Sequence, residues 1–274
     1  MSYTDESAAA GFPLRLPFLI PYLDRHDTRR LLFAMFCGLG YLVAPQLLER
    51  TGATDRFWFI AIIFKTLSIP PLALIAAKNL RAAWRRNLVL ALLCSTLGDF
   101  FLALRGEHYF IFGLLSFLIA HLFYIALFIG QRPRPFRLPR PRVALATGVL
   151  AVSVGLSAYL LPRAGSMAIP VLAYVIVLTL MVLSAVVSEI TETRVLAGAL
   201  LFMLSDSLIG LSRFGGLAGA FIGPLIWVTY FNAQYLITVG FVNWTLNRAR
   251  ALTRALLTTV VERVNEYEAS QDAE

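Results

Sequence analysis

Apolar residues in this chain come in long unbroken runs, without the alternation of a half-buried strand or the single stripe of a soluble helix. At about 20 apolar residues per crossing, eight runs can span a membrane: 31–48, 57–77, 87–104, 109–130, 143–161, 168–188, 195–213 and 218–243. The expected fold is an all-α membrane protein, an eight-transmembrane-helix bundle with short connections. Residues 1–30 would be an interfacial segment, 31–243 the membrane domain and 244–274 a C-terminal appendage. Pro13, Pro17 and Pro21 exclude a regular helix near the start. Asp5 and Glu6 precede any apolar core, so no cleaved signal peptide is expected. Pro70-Pro71 and Gly223-Pro224 should bend their helices, and no span carries a strong break at its polar positions.

Composition agrees with the pattern. The 274 residues are 58% hydrophobic and 15% charged, more apolar surface than a soluble domain of this size can hide. The net charge of +8 could suggest a nucleic acid, but the basic residues sit at the ends of apolar runs. Placing both termini in the cytoplasm puts eighteen of the 24 lysines and arginines on that side, the bias that orients proteins in a cell inner (plasma) membrane. The charge is therefore read as topology, with membrane lipids as partners and no nucleic acid. The loop 131–142 alternates proline with arginine, an extended connector facing anionic lipid. Residues 247–264 prolong the last helix as a basic amphipathic segment before an acidic tail. Cys37 and Cys94 lie mid-run and give no disulfide framework.

Polar residues inside the runs carry the candidate chemistry, because ionisable groups in a span are expensive and face a bundle interior or a wet cavity. At a rise of ~1.5 Å per residue, Asp99, Asp206 and Lys65 fall roughly 8, 11 and 12 Å from the non-cytoplasmic ends of their helices. Tyr174 lies at similar depth, and His121, Tyr230 and Gln234 lie nearer the midplane, which outlines a polar pocket open to the non-cytoplasmic side. The string ending in Asp99 (92–99) weakly echoes the one ending in Asp206 (199–206), and a 4+4 repeat would bring both aspartates to one interface.

Each residue also has an architectural reading. Lys65 could snorkel, and the aspartates could serve only to balance it. His121, Tyr124, Tyr230 and Gln234 could be interhelical hydrogen-bond formers. Gly113 and Phe117 suit packing, and Ser95 and Ser205 suit bonds to their own helix backbone. No GxSxG elbow is present, and of three histidines only His121 lies in a span, which argues against a zinc site. No metal or cofactor is called for. The remaining chemistry is that of paired carboxylates, one protonated as general acid and one ionised to activate water or stabilise an oxocarbenium ion. A transporter is the competing class, since charged groups in mid-membrane also mark ion and solute pathways.

Lys65 with Pro70-Pro71, Gly98-Asp99, Phe110-x-x-Gly113-x-x-x-Phe117-x-x-x-His121-x-x-Tyr124, Gly198 through Ser205-Asp206, and Tyr230-x-x-Ala233-Gln234 together resemble the YhhN family, the lysoplasmalogenases. The family's usual Lys-Pro pair is here Lys65-Thr66, with proline displaced to Pro70, which puts the local kink in question. The resemblance implies eight helices and a lysophospholipid substrate whose vinyl ether bond is hydrolysed to a fatty aldehyde and a glycerophospho-ethanolamine or -choline. It makes Asp99 and Asp206 the catalytic candidates and Lys65, His121, Tyr124, Tyr174, Tyr230 and Gln234 the substrate-binding ones. Another lysolipid is the alternative substrate.

Overall fold

The computed structural model describes residues 24–51, 54–132 and 138–271, so the proline-rich start and part of the proline-arginine loop lie outside the described residues. Among the described residues the protein is wholly helical: α1 (Arg25–Thr51), α2 (Thr54–Leu67), α3 (Pro70–Asn79), α4 (Ala82–Ala103), α5 (Glu107–Ile129), α6 (Arg140–Leu160), α7 (Ala168–Val187), α8 (Thr193–Phe214) and α9 (Ile222–Gln271). Seven stretches among the described residues are long and apolar enough to cross a membrane, the first being Trp58–Asn79, made of α2 and α3 together. The predicted span 31–48 falls within α1 and is not among the seven; its side chains from residue 45 on lie outside the described residues.

Apolar side chains fill both the inside and the outside of the bundle. Leu88, Leu92, Tyr124, Phe128, Phe202 and Phe241 are fully buried, whereas Phe36, Phe59, Val154 and Ile169 are each more than 60% exposed. Water would penalise that outer surface and hydrocarbon would not. α8 packs along α9 and α4 along α5. The α8–α9 approach needs Gly198, where a Cβ would stand 2.9 Å from the Ala233 carbonyl oxygen and 3.0 Å from the Ile237 nitrogen.

Two expectations about proline are corrected. Pro70 and Pro71 interrupt the second span and do not merely bend it: α2 stops at Leu67 and α3 starts at Pro70. Neither proline has an N–H for the carbonyls of Thr66 and Leu67, so the α-helical ladder cannot continue. The Ser68 hydroxyl donates to the Lys65 carbonyl at 2.7 Å. The interruption therefore falls just past Lys65, at the polar layer. Pro224, by contrast, sits in the first turn of α9, where a missing N–H costs nothing, so it bends no span.

Side chains lock the end of the bundle where α1 starts and α3 and α7 stop. Asp24 caps α1 by accepting from the Asp27 amide at 2.8 Å, and its carboxylate pairs with Lys78 at the end of α3. Buried Asp27 accepts from Asn79 at 2.9 Å, from Lys78 at 3.3 Å and from Arg30 at 2.8 Å. Arg142 donates to the carbonyls of Val186, Ser188 and Ile190 at the end of α7. It is thus a helix-end clamp and not simply a lipid-facing charge in its loop.

Candidate active site

Seven helices, α1, α2, α4, α5, α7, α8 and α9, bring side chains to one polar layer. Lys65 occupies the last turn of α2, with Nζ 3.5 Å from Asp99 Oδ1 and 5.8 Å from the centroid of the Tyr41 ring. Asp99, near the end of α4, accepts from the Tyr230 hydroxyl of α9 at 2.6 Å. Its neighbour Gly98 leaves room for the Phe117 ring, which an added Cβ would meet at 2.6 Å. Asp206 on α8 accepts from the Tyr174 hydroxyl of α7 at 2.6 Å, and its Oδ2 is 3.0 Å from His121 Nε2 of α5. His121 Nε2 is also 3.2 Å from the Tyr174 oxygen, so the three groups form one buried cluster. Phe117, Phe202 and Tyr230 pack edge to face on one another, fixing the Tyr230 ring that carries the donor to Asp99.

Asp99 and Asp206, both buried, line a single cavity of about 370 Å³ together with Lys65 and Tyr230. A narrow apolar slot of about 40 Å³ leads from Asp206 and Tyr174 between Leu114, Leu156, Leu160, Val171, Val175 and Leu178. The remaining candidates stand behind these surfaces. His121 touches Asp206 from the protein side, and the Tyr124 hydroxyl donates to Gln234 Oε1 in a separate buried bond. None of His121, Tyr124 and Gln234 is part of either lining. Ser205 donates across to the Ile226 carbonyl of α9 at 3.0 Å, not to its own helix.

Three cavity residues escape sequence reasoning. Tyr41 and Trp227 form an edge-to-face pair with centroids 4.7 Å apart, and Trp227 donates to the Gly38 carbonyl at 3.0 Å, tying α9 to α1. Arg213 reads in sequence as a topological charge. Its spacing is the signal that could have found it: seven residues after Asp206 is two turns along the same face of α8.

Residues 60–241 match the YhhN family. The chain belongs to that family. It is 33% identical over 245 residues to proteins named lysoplasmalogenase from Mycobacterium bovis and Mycobacterium tuberculosis, an alignment covering 86% of this chain and 91% of theirs. It is 32% identical over 167 residues to lysoplasmalogenase TMEM86A of Bos taurus, covering 57% of this chain and 65% of that one. No solved structure matches. The family match takes in Lys65, Asp99, His121, Tyr124, Tyr174, Asp206, Tyr230 and Gln234, and so every element of the polar layer except Tyr41. What this YhhN-family layer can do chemically is set by its donor set: two carboxyls and one ammonium on a single cavity can move a proton and stabilise a cation without a covalent nucleophile.

Proposed function

We propose that this YhhN-family protein is a lysoplasmalogenase, a membrane hydrolase of the vinyl ether bond of lysoplasmalogens. The observation that carries the reading is the shared cavity of Asp99, Asp206 and Lys65. A buried array of one ammonium and two carboxyls is neutral when the carboxyl pair holds one proton. That is the stoichiometry the reaction uses. A carboxylic acid delivers its proton to the vinyl carbon remote from oxygen, the ether oxygen's lone pair closes an oxocarbenium ion, and the second carboxylate stabilises the cation and takes a proton from the attacking water. The hemiacetal so formed collapses, its hydroxyl proton passing to the departing glycerol oxygen, to give fatty aldehyde and glycerophospho-alcohol.

Tyr230 and Tyr174 orient the two carboxylates, and Lys65 holds the charge of Asp99 in place. His121 is a positioning residue behind Asp206, and the Tyr124–Gln234 bond braces α5 against α9. The apolar slot beside Asp206 suits the hydrocarbon chain. We further propose that 31–48 completes a set of eight spans, that Asp99 and Asp206 occupy corresponding places in its two halves, and that both termini are cytoplasmic in a cell inner membrane.

The test is turnover of a lysoplasmalogen by the protein in detergent, with aldehyde and glycerophospho-alcohol identified by mass spectrometry. Asp99→Asn and Asp206→Asn should each lose about 10²–10⁴-fold in kcat. Full turnover by both folded variants overturns the mechanism. The interruption at Ser68–Ile69 beside Lys65 adds to the mid-membrane charges as an observation that favours transport; solute flux in proteoliposomes with no hydrolysis of any lysolipid would establish that reading instead.

A further inference from the structure

We propose that Arg213 and Glu107 form the receptor for a zwitterionic phospholipid headgroup, Arg213 taking the phosphate and Glu107 the terminal ammonium. The inference rests on the lysolipid reading of the inner cavity and adds the residues that choose the headgroup.

Beyond the inner cavity lies a second one of about 230 Å³, at the end of the bundle where α4 meets α5 and α8 stops. The two share Leu102, Phe110 and Arg213, but only the outer one is lined by Glu107. Arg213 therefore stands at the junction. Its guanidinium pairs with the Glu107 carboxylate and lies 5.0 Å from the centroid of the Phe110 ring, a second contact that places it at the junction.

Order along the path is the decisive feature. From inside out come the carboxyls of Asp99 and Asp206, then the Arg213 cation, then the Glu107 anion. A lysolipid lying with its ether at the carboxyls presents in the same direction the glycerol carbons, a phosphate anion and an ammonium. Seven residues of helix separate Asp206 from Arg213 by about 10 Å, a span that the glycerol backbone and the two side chains bridge. Guanidinium has five donors in a planar fork suited to phosphate, so the bond to Glu107 leaves donors over. Lys65, the other cation on the inner cavity, is engaged with Asp99. A phosphoglycerol headgroup carries the same phosphate but ends in neutral hydroxyls, so it would offer Glu107 no ammonium to pair with.

The experiment compares kcat/KM of the purified full chain on alkenyl-lysolipids carrying phosphoethanolamine, phosphocholine or phosphoglycerol, and on alkenylglycerol without phosphate. Wild type should prefer the two zwitterionic substrates. Glu107→Gln should narrow their advantage over phosphoglycerol by about tenfold. Arg213→Gln should cut the advantage of every phosphate-bearing substrate over alkenylglycerol by about tenfold, through KM. The exchange Arg213→Glu with Glu107→Arg keeps the ion pair but reverses the charge order. A pair that only clasps α5 to α8 would recover wild-type selectivity on exchange; a receptor would not. Inhibition by glycerophosphoethanolamine, weakened in Arg213→Gln, gives a binding readout that does not depend on turnover. Unchanged headgroup ratios in Glu107→Gln and Arg213→Gln, or full recovery on exchange, overturn the inference while leaving vinyl ether hydrolysis intact. If wild type hydrolyses no vinyl ether at all, the parent reading falls and this one with it.

Discussion

Tyr230 binds Asp99 through one hydrogen bond of 2.6 Å that joins helices 131 residues apart in sequence. Tyr230→Phe keeps the ring, which packs on Phe117 and Phe202, and removes only the donor. We expect kcat on a lysoplasmalogen to fall by about tenfold with little change in thermal stability; unchanged kcat would show that the phenol does not serve the carboxylate. The charged members of this layer were legible in the sequence because a lysine or aspartate inside an apolar run is costly and needs a reason. Tyr41 and Trp227 were not, because aromatic residues in membrane segments are ordinary and neither carries a charge to explain. Arg213 was misread for a related reason: an arginine at a helix end satisfies the rules of topology before any other role is considered.

Helix contacts set the next limits. At Gly198 an added methyl would press on backbone as well as side chain of α9, so Gly198→Ala should destabilise the protein by about 1–3 kcal/mol, read as a lower midpoint of thermal unfolding in detergent. The clamp between α1 and α3 is sensitive to acid. The Lys78 ammonium, and after it the Asp27 amide, hold the Asp24 carboxyl at about 2, below its ordinary 3.8. A lowered carboxyl stabilises the fold above its unfolded value and ceases to do so as pH falls through its folded value. Stability should therefore decline between roughly pH 4 and pH 2, and Asp24→Asn should show a smaller part of that decline; equal pH dependence in the two proteins would count against the clamp. Hydropathy revealed the long helices because lipid imposes a length on them. It did not reveal the break after Leu67, since two prolines in a run remain apolar and only the missing donors stop the helix.

At the scale of the molecule, the cavity is closed by helices from both ends of the chain: α2 and α4 bring Lys65 and Asp99, α8 and α9 bring Asp206 and Tyr230. Equal depth in separate helices could be counted from the sequence, but their arrangement around a common axis depends on packing, which no local pattern encodes. The charge bias makes a prediction of its own. A single cysteine introduced in the exposed stretch of α9 between 247 and 264, in a chain whose own cysteines are replaced, should react with an impermeant thiol reagent only after the inner membrane is opened. Labelling in intact cells stripped of the outer barrier would reverse the assigned orientation.

The site has two unlike openings: an apolar slot between α5, α6, α7 and α8, and a polar mouth where Arg213 meets Glu107. On the proposed reaction the two products differ as the openings do, one a long-chain aldehyde and the other a water-soluble phosphodiester. Each would partition to its own phase, the aldehyde into the bilayer and the phosphodiester into water on the non-cytoplasmic side. Cleavage would then be drawn forward by dilution in two solvents at once, and a reactive aldehyde would be released where enzymes that work on membrane-dissolved substrates can meet it.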